Sequence, residues 1–349
     1  MSEKIDESWL FIVEWYDPLP QLKKTYLLKY YVDSHMVEMV DVRNKKLFLK
    51  KSPLTNDISS SEFFVGGKVL LYSRELDIVD YGDLKTRDKL QYQSKSISLL
   101  LTYNVYNDWG NIIHEIERNH TIVKYKSIIL NNSQSSDIST QLKLNHYIQD
   151  VLVQNVSLYL SININTNANS NINDILSEYV SDIVISNNQT EYNLINELAK
   201  SSQPTALFDS STCVIIKPHI VKSKQAGLII DYIIKQGYEI SCINSLFFDK
   251  IQSEEFLEVY KGVIPDFSDH VIQLSNGLSV ALEVRAEDAV NTFRITAGPW
   301  DIGMAKELYP KSSIRGLYGI DNVKNSIHCT DLSQDAVMEC QYCFSLMDT

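Results

Sequence analysis

Residues 204–349 alternate strand-like and helix-like segments, and this alternation constrains the fold more than any other feature of the chain. The strand patterns cover 212–216, 238–247 and 278–284, and the helix patterns cover 222–235, 253–261, a stretch ending near 275 and 287–297. Because each element must bury one face, such alternation favours helices packed on a sheet. Gln203-Pro204 offers a boundary before the first strand, so 204–349 is predicted to form an α/β sandwich domain.

Residues 1–91 have a different pattern, in which short β-branched and aromatic runs are separated by turn-forming residues. The runs cover 9–15, 37–42, 47–50 and 68–79, and the breaks fall at 17–20, 33–34 and 66–67. This spacing predicts a small antiparallel β domain. The phrases Glu14-Trp15-Tyr16-Asp17-Pro18 and Asp80-Tyr81-Gly82-Asp83 resemble the DM-ten domain, a module of ciliary proteins, and the fold is expected to be PH-like.

Residues 92–203 parallel the last domain in the order of their elements. Strand patterns cover 97–101, 122–130 and 156–164, and helix patterns cover 109–119 and 191–200. The asparagines that alternate from 163 to 173 predict a surface loop. No arginine occurs between Arg118 and Arg285, and Thr102-Tyr103-Asn104 follows the first strand. We therefore expect a degenerate copy of the last domain that supplies packing rather than chemistry.

Composition and charge exclude several classes of protein. The formal net charge is −12, and no domain has the basic excess that general nucleic-acid binding requires. No apolar run approaches the length of a membrane span, so we expect no membrane partner and a place in the cytoplasm. The five cysteines lie in the last third without disulfide-framework spacing, which predicts buried thiols and no metal site.

The segment from Asn325 to Asp331 contains the candidate reactive residue, His328. A histidine that accepts a phosphoryl group needs one free ring nitrogen and a partner that orients the other. Thr330 and Glu339 follow closely enough in sequence to provide that partner. His328, Thr330 and Glu339 are therefore the predicted catalytic residues.

The last domain resembles a nucleoside diphosphate kinase, because further family positions precede His328 in the family's order. They are Lys217-Pro218, Tyr260, Phe267, Arg294, Arg315 and Asn325. The resemblance implies a ferredoxin-like α/β sandwich for this domain and, with the parallel above, for 92–203. The predicted class is therefore α+β, with a small antiparallel β domain followed by two ferredoxin-like sandwiches.

The resemblance also implies a role for each position. His328 would accept the phosphate, and Lys217, Arg294 and Arg315 would offset the negative charge of phosphoryl transfer. Tyr260 would lie near the phosphates, Phe267 would stack on the base and Asn325 would contact the ribose. The expected cofactor is Mg²⁺, bound with ATP, GTP or their diphosphates. The chain departs from the family pattern at His219, Ile220, Asn322-Val323 and Trp300, the last of which would crowd the phosphate pocket.

The complete arrangement resembles ciliary relatives of the kinase that join a DM-ten domain to two kinase-like domains. This resemblance implies three functions, and we expect the first, because the β domain and the degenerate copy add surface for binding a lattice and nothing to catalysis. The first is a structural inner protein of axonemal doublet microtubules that binds tubulin, and the second is an active kinase confined to 204–349. The third is a regulator of γ-tubulin complexes at the basal body. A basic cluster at Arg43, Lys45, Lys46, Lys50 and Lys51 is either a tubulin contact or a solvated hairpin face.

Overall fold

The chain is described here from a computed structural model, which covers residues 6–17, 20, 22–54, 58–65, 67–165, 168 and 170–347. It divides into two compact units, Met1–Lys95 and Ser96–Thr349. The predicted turns at 17–20 and 66–67 lie partly outside the described residues. No helix in the described ranges is long and apolar enough to cross a membrane.

The first unit is an antiparallel sheet with one helix after it. Its elements are β1 (Ser8–Asp17), β2 (Leu22–Tyr31), β3 (Met36–Asp41), β4 (Leu47–Pro53), β5 (Lys68–Leu71), β6 (Arg74–Tyr81) and α1 (Leu84–Gln93). The strand order is β4-β3-β2-β1-β6-β5, and every neighbouring pair is antiparallel. The sheet curls into a half-barrel. This confirms the antiparallel β unit, while the PH-like comparison stays a prediction.

Side chains that alternate along these strands form the core of the first unit. Phe11 and Val13 of β1 are fully buried, and the Tyr30 ring stacks on Phe63 with centroids 4.4 Å apart. In contrast, the β3–β4 hairpin is exposed along most of its length, and β4 is an edge strand. The basic cluster therefore lies on an exposed hairpin.

The second unit begins with the elements of the middle segment, which include the strands and helices predicted there and four further elements, at 132–142, 146–154, 172–175 and 183–185. The elements of this segment are β7 (Ser94–Leu101), α2 (Trp109–Asn119), β8 (Thr121–Ile128), α3 (Asn132–Leu142), α4 (His146–Gln154), β9 (Ser157–Asn165), α5 (Ile172–Ile175), β10 (Ile183–Ile185) and α6 (Gln189–Ser201). The asparagine-rich stretch is not wholly a loop. Asn163 and Asn165 remain in β9, Asn171 caps α5, and residues 166, 167 and 169 lie outside the described residues.

The remaining elements of the second unit carry the candidate site. They are β11 (Ser211–Ile216), α7 (Pro218–Lys222), α8 (Ala226–Lys235), β12 (Glu239–Leu246), α9 (Lys250–Phe256), α10 (Phe267–Leu274), β13 (Ser279–Arg285), α11 (Ala289–Ala297), α12 (Ile302–Leu308), α13 (Ile314–Tyr318), β14 (Ile327–Cys329) and α14 (Ala336–Gln341). The predicted helix at 253–261 is shorter than expected, because α9 ends at Phe256 and a 3-10 turn follows at 258–260.

One sheet of eight strands runs through the second unit in the order β10-β7-β9-β8-β12-β13-β11-β14. The four strands of the C-terminal half therefore lie in the order 2-3-1-4, as in a ferredoxin-like fold, and the preceding four show the mirror order 4-1-3-2. β8 and β12 join the halves in antiparallel pairing at Lys126 and Asn244. The boundary predicted at residue 203 stays a prediction, since 96–349 form one compact unit.

Helices α2 and α8 pack against each other where glycines allow a close approach. A Cβ on Gly110 would lie 2.2 Å from the backbone nitrogen of Asp231, and one on Gly227 would lie 2.3 Å from that of His114. The Glu117 carboxylate accepts a 2.6 Å hydrogen bond from the Gly227 N–H. Burial raises the pKa of Glu117 to about 8, although the N–H donors of α8 act in the opposite direction.

Candidate active site

His328 lies on β14, the edge strand that pairs with β11. Its partner in the register is Ile215, and its side chain is only 3% exposed. β11 ends at Ile216 because Pro218 has no N–H for a further ladder bond and is suited to the first turn of a helix. The chain therefore turns into α7 beside the histidine, with Lys217 at the turn.

Two neighbouring side chains fix the orientation of the imidazole, as the sequence predicted. His328 Nε2 lies 2.9 Å from Glu339 Oε2, and the same oxygen accepts a 2.8 Å hydrogen bond from Thr330 Oγ1. Thr330 is held in turn by a 3.0 Å hydrogen bond from the Cys213 N–H. An ionised carboxylate can only accept, so Nε2 carries the proton and the neutral ring keeps its lone pair at Nδ1.

Aromatic rings surround the imidazole. The Phe256 ring meets it edge-on with centroids 5.0 Å apart, and the Tyr260 ring does so at 6.2 Å. Among the described residues, no group forms a hydrogen bond with Nδ1 of His328. The arrangement thus presents one unpaired basic nitrogen within a largely apolar wall, which suits a nucleophile.

Two predicted cationic residues are buried close to this wall. Lys217 is 4% exposed and donates a 3.1 Å hydrogen bond to the Val323 carbonyl, and Arg315 is 5% exposed. Burial, and to a smaller extent the positive charge of Arg315, lowers the pKa of Lys217 to about 7. Arg315 donates to the Gly298 carbonyl at 2.8 Å, while its Nε has no partner in the described ranges. An anionic ligand would relieve the repulsion between these two cations.

Asn325 is fully buried, and neither polar atom of its side-chain amide has a hydrogen-bond partner within the described residues. A buried amide without partners costs free energy, typically about 1–3 kcal/mol per unpaired group. Such groups are expected where a ligand completes the hydrogen bonds. The position therefore agrees with the predicted contact to a ligand.

Arg294 and Tyr260 are linked by Asp331, which the sequence analysis did not select. The Tyr260 hydroxyl donates a 2.6 Å hydrogen bond to Asp331, and Arg294 Nε lies 3.5 Å from the same carboxylate. Arg294 also donates to the Asp331 carbonyl at 3.1 Å. Burial raises the pKa of Tyr260, and the hydrogen bond to Asp331 raises it further. Asp331 directly follows Thr330 in the sequence, and this position was the signal that could have identified it.

Phe267 begins α10 and is half-buried, and its predicted stacking on a base stays a prediction. His270, one turn further along α10, is a second residue that the sequence analysis missed. Its ring centroid lies 5.3 Å from that of Trp300. His219, noted earlier only as a departure, lies nearby with Nδ1 2.9 Å from the Gln273 amide nitrogen. Burial lowers the pKa of His219 to about 3 and that of His270 to about 4.

The corresponding site in the other half of the unit lacks every reactive group. Thr102 N–H donates to the Asp182 carbonyl just as Lys217 N–H donates to the Ser326 carbonyl, so the two turns are equivalent. His328 lies two residues after Ser326, and the residue that lies two after Asp182 is Val184. Val184 therefore occupies the strand position equivalent to that of His328. Of the two equivalent strand positions, only the one in residues 204–349 therefore holds a histidine.

The cysteines are free and buried, and Cys213 Sγ lies 3.8 Å from Cys343 Sγ. In the described ranges, no three His, Cys, Asp or Glu side chains are arranged to hold a metal ion. Buried Lys217 and Arg315 make the candidate site suited to an anion.

The C-terminal part of the chain is similar to one known family of proteins. The nucleoside diphosphate kinase family model matches residues 210–349. The nucleoside diphosphate kinase of Aquifex aeolicus is 33% identical over 134 residues, which are 38% of this chain and 93% of the relative. A crystal structure of that enzyme has a TM-score of 0.37 and 32% identity, and covers 40% of this chain and 97% of its own.

One relative matches nearly the complete chain. Nucleoside diphosphate kinase homolog 7 of Rattus norvegicus is 31% identical over 373 aligned residues, which cover 98% of this chain and 94% of the relative. The match includes the antiparallel unit and both halves of the eight-stranded sheet. The chain belongs to the family of nucleoside diphosphate kinase homolog 7.

Proposed function

We propose that residues 204–349 transfer a phosphoryl group from a nucleoside triphosphate to a nucleoside diphosphate through His328. The observation that carries this proposal is the hydrogen bond of 2.9 Å between His328 Nε2 and Glu339. It leaves Nδ1 as the unpaired nitrogen and provides a carboxylate that stabilises the positive charge formed on the ring during attack.

In the first half-reaction, Nδ1 attacks the γ-phosphorus while the bond to the diphosphate oxygen breaks. Lys217 and Arg315 offset the charge on the phosphoryl oxygens, as phosphoryl transfer requires. In the second half-reaction, a terminal oxygen of the acceptor diphosphate attacks the phosphohistidine and Nδ1 regains its lone pair. Mg²⁺ would enter as part of the nucleotide substrate and would neutralise phosphate charge there.

Labelling tests this proposal directly. The full chain is incubated with Mg²⁺ and ATP labelled at the γ-phosphate, and acid-labile label is then chased with GDP. Wild type and the control His146→Ala should form the label, because His146 is exposed at the start of α4. His328→Ala should not. Label that persists in His328→Ala, or that never forms although the nucleotide binds, contradicts the proposal.

A second candidate is a structural role on axonemal doublet microtubules, with tubulin and other inner proteins as partners. The specific observation in its favour is the exposed β3–β4 hairpin. Of its five basic residues, only Lys51 forms an ion pair within the described residues, 3.5 Å from Asp6. The remaining charges, at Arg43, Lys45, Lys46 and Lys50, are therefore available to an acidic surface.

Salt extraction of axonemes separates the candidates. A structural component should remain with salt-washed axonemes, and Lys45→Glu combined with Lys46→Glu should weaken its binding to microtubules. A soluble kinase should wash out. Recovery with γ-tubulin complexes at the basal body, and not with the axoneme, would favour the regulatory alternative.

A further inference from the structure

Trp300 lies among the residues that would bind the nucleotide phosphates. It follows Gly298-Pro299 in the connection between α11 and α12 and is half-buried. Its ring centroid lies 5.6 Å from that of Tyr260 and 5.3 Å from that of His270. The indole is thus in contact with Tyr260, which belongs to the predicted site, and with His270, which the sequence analysis did not identify.

Both buried cations of the site are directed at the indole face. Lys217 Nζ lies 5.9 Å and Arg315 Cζ lies 5.4 Å from the ring centroid of Trp300. These distances are within the range of cation–π attraction. The indole therefore occupies the side of the two cations that an anionic ligand would need to approach.

The same connection also engages the donors of Arg315. Its NH1 donates to the carbonyl of Gly298, two residues before Trp300, at 2.8 Å. Displacing the connection would therefore expose the cationic pocket and release an arginine donor in one movement. The two effects are coupled because the ring and the carbonyl belong to the same short segment.

The two ends of the segment differ in how they are held. Gly298 has φ of +85°, and a Cβ there would lie 2.6 Å from the Ser313 side chain, so this position requires glycine. At the other end, Asp301 caps α12 through the Met304 N–H, and its carboxylate accepts a hydrogen bond from Asn322. A displacement of Trp300 would therefore be accommodated near Gly298, while α12 stays in place.

We propose that Trp300 is a plug that keeps phosphates out of the pocket of Lys217 and Arg315, so that nucleotide binds only to the fraction of molecules in which the 298–300 segment has moved. This inference rests on the proposed function, and it adds that access of the nucleotide to the site is restricted. When a site is open only part of the time, its apparent affinity falls by the open fraction. Removal of the plug therefore strengthens binding without adding a contact.

The test compares binding of Mg-ADP to three forms of the full chain by calorimetry. Trp300→Thr removes the ring and should bind at least about tenfold more tightly than wild type. Trp300→Phe keeps an aromatic ring over the cations and should remain within about threefold of wild type. Equal affinities of wild type and Trp300→Thr overturn the plug and leave the kinase proposal intact. Absence of binding by all three forms overturns both.

A second measurement tests the proposal without Trp300→Thr, in case that variant fails to fold. Mg-ADP is added to wild type and to Trp300→Phe, and the difference in tryptophan emission isolates Trp300 from the other three tryptophans. Movement of the indole into water should shift this difference spectrum to longer wavelength. Binding without any change in the difference spectrum would show that the ring stays in place, and would overturn the proposal.

Discussion

Lys217 should take up a proton when a nucleotide binds near neutral pH. Burial lowers the pKa of its ammonium group to about 7, with Arg315 as a further cause. A bound phosphate supplies the opposite charge and should return the pKa toward its ordinary range near 10.5. Binding should therefore be coupled to protonation of Lys217.

The size of the effect follows from the pKa. A group with a pKa of about 7 is about 90% neutral at pH 8 and about 10% neutral at pH 6. Mg-ADP binding should thus take up about 0.9 proton at pH 8 and about 0.1 proton at pH 6. The affinity should fall by about tenfold for each pH unit above 7, until the pKa of the bound state is reached.

Calorimetry in two buffers of different ionisation enthalpy measures this uptake. Lys217→Arg is the matched control, because arginine stays protonated and should show no uptake at pH 8. The terminal phosphate of the nucleotide has a second pKa near 6, so it contributes little at that pH. Clear binding of wild type at pH 8 without proton uptake would refute the reasoning. Trp300→Thr should show a smaller uptake, since water would reach Lys217.

Three further predictions concern the site and its support. Glu339→Gln should slow formation of phosphohistidine by about 10- to 100-fold in single-turnover labelling, because the neutral amide oxygen can still accept both hydrogen bonds but no longer stabilises the positive charge formed on the ring, and an unchanged rate contradicts this role. Gly227→Ala should destabilise the chain by about 2 kcal/mol in chemical denaturation, since the methyl group meets helix backbone, whereas Gly303→Ala, at an exposed position of α12 where the methyl group meets only the carboxylate of Asp301, should cost less. Glu117→Gln should gain stability over wild type as pH rises from about 4.5 to about 8, by up to about 5 kcal/mol, because the unfolded chain has already released the proton that folded Glu117 keeps. A difference in denaturation midpoint that stays constant across that pH range would contradict this last prediction.

Local sequence patterns predicted most of the strands, several of the helices and the partners of His328, but they did not predict β2, β10 or β14, and the single predicted run at 68–79 is divided between β5 and β6. Thr330 lies on the same extended segment as the histidine, and Glu339 lies one turn into α14, so few torsions separate the three residues. The absence of a site in the first half was also predictable, since it follows from residue types alone. Thr102 and Val184 cannot replace a lysine and a histidine in any conformation.

Long-range packing was not predictable in the same way. The sequence identified Arg315 as a phosphate contact, but its hydrogen bond to Gly298 depends on how α11 and α13 meet. The role of Asp331 depends on Tyr260, which lies 71 residues away in sequence. The presence of a glycine at 110 and at 227 did not indicate that these two residues face each other. Each glycine is needed because a helix that is distant in sequence approaches closely at that point.

The sequence by itself therefore determined the family, the residues of the candidate site and the half of the sheet that holds them. These properties depend on residue identity and on neighbours close along the chain. Only the tertiary structure decided that Trp300 lies over both cations, that Lys217 is buried enough to lose its charge near pH 7, and that one sheet joins the two halves. Those properties depend on distances between segments far apart in sequence, which side-chain packing sets and local pattern does not.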